Sequence, residues 1–215
     1  MNIIGIDLSG PSNHKDTVAA AFHEKGERLE FDYRIQGASD VDLLDFVSSY
    51  ADEGRVIVGI DSPLSYQDGG GDRLFDRELR RFAKDLGMKS GSVMTPTLTR
   101  MIYLTARGIH LAHSLKTIER VEVVEVHPGV ALASRLSAED FHHALSYKKE
   151  PTGLEWVTDW LTSTFLTTSL PPVHESHDVD AVLASIAAWH WAAEGKSPTW
   201  CMDAEPPHYP FPITT

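Results

Sequence analysis

The chain has 215 residues, a single cysteine and a formal charge of −12. That length supports one domain with a substantial core, burying roughly 70% of the surface its unfolded chain would expose. A lone Cys201 excludes an intrachain disulfide and a zinc ribbon, and the net negative field argues against a general nucleic-acid coat. The N-terminus lacks a basic n-region and Asp7 interrupts the first apolar stretch, so no signal peptide is predicted. The longest apolar run, 181–193, is too short for the roughly 30 Å of a bilayer's hydrocarbon core. The expectation is a cytoplasmic protein with no membrane association.

Residues 2–7 read as a first strand, apolar on both faces and therefore central. Two more strands are predicted at 17–23 and 29–35, joined by the turn-like Glu24-Lys25-Gly26-Glu27, so the chain opens as an antiparallel meander. Ser39 is a candidate helix N-cap with Asp42 three residues on, and Val41, Leu44, Val47 and Ala51 then share a helical face. Residues 56–60 read as a fourth buried strand. After it come Ser62-Pro63-Leu64 and Gly69-Gly70-Gly71, then helices at about 73–86 and 99–115. A fifth strand at 121–126 ends in His127-Pro128-Gly129. Helices at 154–165 and 178–194 follow, and the proline-rich tail is expected to be irregular. The order β-β-β-α-β-α-α-β-α-α describes an α/β layout with helices on both faces of the sheet.

Three of these strands end in or beside a carboxylate: Asp7, Asp61 and Glu125. Ligands collect at the carboxyl ends of strands in such sheets, and acids converging there can hold a hard cation. A buried, unpaired Asp7 would be costly; the plainer reading is a turn former before Ser9-Gly10-Pro11. Asp61 before Ser62-Pro63 invites the same reading. Two Gly-Ile-Asp triplets closing two buried strands are harder to dismiss. Glu125 lies next to His127-Pro128, although an outward, solvated glutamate is the alternative; His127 could orient a phosphate or support a ligand from behind, and equally could be a satisfied histidine at a turn. His177, Asp178 and Asp180 open the last helix, where acids are also favoured by the dipole alone. There is no Gly-x-Ser-x-Gly elbow, and the triple glycine lacks the Lys-Ser/Thr of a phosphate loop. Trp156 and Trp160, four apart, read as core. Between 73 and 120 ten Lys/Arg face four acids, a local +6 that leaves −18 for the remainder. A phosphodiester substrate would suit such a basic lobe beside an acidic site; solvated helix faces are the alternative.

The chain resembles the bacterial and archaeal family called domain of unknown function 429, described as predicted nucleases with a ribonuclease H-like fold. The resemblance is carried by Ile4-Gly5-Ile6-Asp7, Gly59-Ile60-Asp61-Ser62-Pro63-Leu64, the stretch from Arg73 to Arg80, Glu125-Val126-His127-Pro128, Tyr147-Lys148 and His177-Asp178-Val179-Asp180-Ala181. It implies a single domain over 1–215 with a helical basic insertion around 73–120. It also implies a five-stranded mixed sheet of order 3-2-1-4-5, with strands one and four parallel neighbours and the last acidic helix beside them. By analogy with resolvases of that superfamily, Asp7, Asp61 and the Asp178/Asp180 pair would be metal ligands. The resolvase-like motif spaces its last two acids three apart; here they are two apart, and His177 to Asp180 matches the wider spacing.

The function expected is a Mg²⁺- or Mn²⁺-dependent nuclease, since hard cations prefer carboxylate and water oxygens. Two cations about 4 Å apart could activate a water and stabilise the leaving oxygen. Asp7, Asp61, Asp178 and Asp180, with Glu125 as a further candidate, would supply ligands. Arg73, Arg77, Lys148 and His127 would bind substrate, and His177 is a candidate for proton transfer. The alternatives are a phosphate- or nucleotide-binding protein of the actin-like ATPase and sugar-kinase group, which would need a homodimer to complete its cleft, and a non-catalytic binding module of the same fold.

Overall fold

A computed structural model describes residues 1–215. Its strands are β1 (Asn2–Asp7), β2 (Val18–Lys25), β3 (Arg28–Gln36), β4 (Val56–Asp61), β5 (Val121–Val126), β6 (Cys201–Met202) and β7 (Ile213–Thr214). The helices are α1 (Asp40–Glu53), α2 (Leu74–Asp85), α3 (Ile102–Leu115), α4 (Pro128–Ala133), α5 (Phe141–Ser146), α6 (Pro151–Phe165) and α7 (Ser176–Ala192). All seven strands form one mixed sheet in the order β3-β2-β1-β4-β5-β7-β6. The predicted 3-2-1-4-5 order is present as its main part. The two additional strands come from the tail, where β7 pairs parallel to the end of β5 and β6 pairs antiparallel to β7. The irregular tail expected from its prolines is therefore partly sheet: Pro212 carries the chain into β7, and its carbonyl accepts the Glu125 N–H at 2.9 Å.

Strict alternation in β1 and β4 divides the core between the two faces of the sheet. Ile4, Ile6, Val58 and Ile60 pack with α1 and α3 residues such as Leu43, Val47 and Leu111. Ile3, Ile57, Val124 and Val126 pack with α2, α4, α6 and α7. Each fully buried aliphatic side chain contributes roughly 1.5–3 kcal/mol by transfer from water, so the central strands anchor both layers. The antiparallel meander is present, with Gly26 at φ +62° in the turn between β2 and β3.

Helix α1 carries the capping box: the Ser39 hydroxyl accepts the Asp42 N–H, and the Asp42 carboxylate accepts the Ser39 N–H at 2.8 Å. Its buried stripe is Leu43, Val47, Tyr50 and Ala51, whereas Val41 is exposed and Leu44 only flanks the core. The buried stripe thus lies about one position from the predicted one at the helix start and coincides with it at Val47 and Ala51. Helix α3 begins at Ile102 rather than 99, because 98–101 is a turn. The short α4 and α5 had no periodicity long enough to read. No helix is long and apolar enough to cross a membrane.

Candidate metal centre

Strands β1 and β4 run parallel in exact step, so Gly5 pairs with Gly59 and Asp7 with Asp61. In each strand the glycine and the aspartate are two residues apart and share a face. That face receives α7. A Cβ on Gly5 would run into the Ala181 carbonyl and Ser185, and one on Gly59 would lie 2.5 Å from the Ala184 carbonyl. The absent side chains let the α7 backbone rest directly on the sheet, with Ala181, Ala184, Ser185 and Ala188 as its contact residues. Asp180, next to Ala181, is thereby delivered to the strand ends. One carboxylate oxygen each from Asp7, Asp61 and Asp180 lies within 4.8 Å of the others.

The cluster has a defined set of partners. The Tyr147 hydroxyl donates to Asp180 Oδ1 at 2.6 Å, and Lys148 Nζ contacts Asp180 Oδ2 at 2.7 Å. His177 Nδ1 lies 2.6 Å from Asp7 Oδ2. Burial raises the Asp7 pKa despite the His177 hydrogen bond. Asp61 is pushed well above the usual carboxylate range by burial and then by the charge of Asp7. His177 is raised to about 9, chiefly by its hydrogen bond to Asp7. Burial and the Asp180 charge also hold the Tyr147 phenol well above its ordinary value. Three carboxylates with only two cationic partners leave uncompensated negative charge in a buried place, and that is the electrostatic situation a divalent cation relieves. The donor set is all oxygen, as hard cations require. Above the cluster opens a cavity of about 320 Å³ whose wall includes Asp7, Asp61, Lys148, His177, Met101 and Leu104.

Several predicted site residues lie elsewhere. Asp178 faces away from the cluster, accepting a hydrogen bond from the Gln36 amide at 2.7 Å and pairing with Arg34 at 3.1 Å. Two positions on a helix are about 200° apart, so Asp178 and Asp180 cannot serve one centre, whereas His177 and Asp180 share a face. Glu125 is neither solvated nor a ligand of the cluster. It is buried on the β5 face of Val121 and Val123 and accepts from Arg73 Nη1 at 2.8 Å, Arg73 Nη2 at 2.6 Å and the Leu64 N–H at 2.7 Å.

Arg73 is only 1% exposed and is also bound by Asp76 and the Ser65 hydroxyl, which leaves its guanidinium no free edge for a phosphate. The two arginines do not face the same way either. Arg73 caps α2 from inside, while Arg77 is exposed and donates to the Asp72 carbonyl at 2.9 Å. His127 lines the cavity, but both ring nitrogens are engaged: Nε2 donates to the Ser92 carbonyl at 2.7 Å and Nδ1 accepts the Val130 N–H at 3.4 Å. Burial lowers its pKa, consistent with this neutral tautomer. His127 therefore ties the 90–92 turn to the start of α4 and is not a phosphate ligand. Lys148 alone of the four predicted substrate contacts reaches the cluster with its side chain partly open, at 49% exposure.

Reading the sequence for acids missed Asp76 and the role of Tyr147. Asp76 had a signal, because a carboxylate three residues into a helix commonly accepts the N-cap N–H, and here it does so from Arg73 at 2.8 Å. Tyr147 had none beyond its place before Lys148. No curated protein matches the chain in sequence. A family model described as protein of unknown function (DUF429) matches residues 5–205, a span that includes the paired glycines, the three clustered aspartates, Tyr147, Lys148 and His177. The chain belongs to the DUF429 family.

Proposed function

We propose that the protein is a metal-dependent phosphodiesterase of ribonuclease H-like fold that acts on nucleic acid. The observation that carries this reading is the convergence of Asp7, Asp61 and Asp180 within 4.8 Å, at the carboxyl ends of two adjacent parallel strands and beneath an open cavity. Asp7, Asp61 and Asp180 would hold Mg²⁺ or Mn²⁺, while Asp178 and Glu125 take no part. When bound, such a cation activates water and neutralises charge on a phosphoryl oxygen.

The chain's own residues supply the rest. Lys148 stands over Asp180 with its side chain half exposed and lining the cavity, placed to meet a non-bridging phosphate oxygen. His177 is held through Nδ1 by Asp7, and its Nε2 makes no hydrogen bond within the protein. That free Nε2 faces the cavity side of the cluster and would hand a proton to a leaving oxygen as general acid. Tyr147 fixes the Asp180 carboxylate and, with its own pKa raised, stays neutral.

The test is cleavage of end-labelled single-stranded DNA, RNA and a hybrid duplex with Mn²⁺ or with EDTA. Metal-dependent cleavage that Asp61→Asn abolishes is the expected outcome. No cleavage of any of these, or cleavage indifferent to EDTA, overturns the reading.

A further inference from the structure

We propose that a second subsite beside the carboxylates binds the nucleotide adjoining the phosphodiester under attack, so that the substrate is a single strand carrying at least two phosphates. This rests on the phosphodiesterase reading. A groove of about 360 Å³ adjoins the carboxylate cavity, and Ser92, His127 and Lys148 line both. The two compartments are chemically opposite. Lys89, Lys148 and Lys149 line the groove and no carboxylate does, in a chain with 31 acidic and 19 basic residues. Such a wall cannot hold a cation and attracts an anion.

Lys89 and Lys149 are also uncommitted. Arg73, Arg80, Arg81 and Arg107, which made the 73–120 segment look like a phosphate-binding lobe, are each paired with a carboxylate. Neither Lys89 nor Lys149 has an acidic partner, and Lys148 is shared between Asp180 and the groove. Besides Ser92, His127, Gly129 and Tyr147 the wall is apolar: Met88, Ala144 and Leu145, the last 48% exposed beside the lysines. Cations flanking an apolar floor suit a phosphate with a flat base laid beside it, the combination by which single strands are held. The groove lies at the low end of the roughly 300–1,000 Å³ of small-ligand pockets, enough for one unstacked nucleotide and not for a duplex. A phosphomonoester would fill the carboxylate cavity and leave the lysines unused; a strand crossing Lys148 satisfies both compartments.

The experiment is fluorescence anisotropy of a labelled single-stranded tetranucleotide in Ca²⁺, with wild type, Lys89→Ala/Lys149→Ala and Leu145→Asp. The double variant is expected to raise Kd about tenfold. It should also make the log–log salt dependence shallower by about 0.7, the contribution of the one single-strand phosphate held in the groove. Leu145→Asp, which sets a carboxylate among the lysines, should weaken binding at least as much. Lys25→Ala/Lys116→Ala, at the opposite ends of the strands, should stay within about twofold of wild type. Unchanged Kd and salt slope in both groove variants overturn the subsite, and if Mn²⁺-dependent cleavage persists the phosphodiesterase reading survives that failure. Weakened binding in a protein that cleaves nothing upholds the anion subsite and overturns hydrolysis instead.

Discussion

Asp178 and Asp180 differ by two positions, and the helix turns that spacing into opposite destinations. Asp180 reaches Tyr147, Lys148 and the other two aspartates, whereas Asp178 secures β3 through Arg34 and Gln36. A cation that binds only the folded protein raises its melting temperature by mass action. Millimolar Mn²⁺ should therefore raise the melting temperature of wild type and of Asp178→Asn, but not of Asp180→Asn; thermal melts with Mn²⁺ and with EDTA decide it, and an equal rise in all three would remove Asp180 from the centre. Arg73 teaches the same lesson about partners. In the sequence it is one of ten basic residues in a positive segment; in the fold it neutralises Glu125, which lies 52 residues away. Removing one member of a buried pair strands the other, at a cost of roughly 3–5 kcal/mol. Arg73→Ala should lose about that much stability in urea melts, with residual substrate binding in the folded fraction unchanged; a stable variant with weakened binding would restore the phosphate role. The acids at the strand ends were legible because burial and carboxylates rarely coincide without cause. Which acid meets which base was not, because pairing is set by packing between distant elements.

At the scale of elements, the Gly-Ile-Asp triplets are two devices in one. The aspartate ends the strand in the site, and the glycine two residues earlier lets α7 settle on the sheet. The triplets drew attention for their acids, while the glycines, which set the height of the helix above the sheet, carried no periodic signal. The five principal strands were readable because β1, β4 and the start of β2 are apolar runs and β3 and β5 interleave apolar with polar residues, with turn residues at their ends. β6 and β7 were not, because two-residue strands have no pattern and exist only by pairing with β5 and with each other. Gly5→Ala tests the device directly. Its Cβ would strike helix backbone, which cannot rotate aside, so the helix must lift. Overpacking of this kind typically costs about 1–3 kcal/mol and occasionally more; Gly5→Ala should lie at the upper end. Because lifting α7 also withdraws Asp180, the Mn²⁺-dependent rise in melting temperature should shrink in the same variant. Loss of stability with a full metal response would mean that α7 does not set the centre's geometry.

Across the whole molecule, with a net charge of −12, stability should depend on pH through the few groups that fold in the unfavoured protonation state. His190, near the end of α7, is one that lies far along the helix from the carboxylates. Burial depresses its pKa to about 4, and Arg135 and Lys196 push in the same direction, against a backbone hydrogen bond at Ser197. Trp189 and Phe165 face its ring edge-on, and neither titrates in this range. The unfolded chain binds this proton near the ordinary histidine value of about 6.5. Stability is therefore fully present above about pH 6.5, falls as pH drops towards 4 because only the unfolded state takes up the proton, and levels off below that. His190 is partly open to solvent, so the contribution is on the order of 1 kcal/mol rather than the full shift. Urea melts at pH 7.0 and pH 4.5 should show His190→Gln losing less stability than wild type over that interval, by about this amount. Parallel losses in the two proteins would assign the acid sensitivity to other groups, with His190 already protonated in the fold.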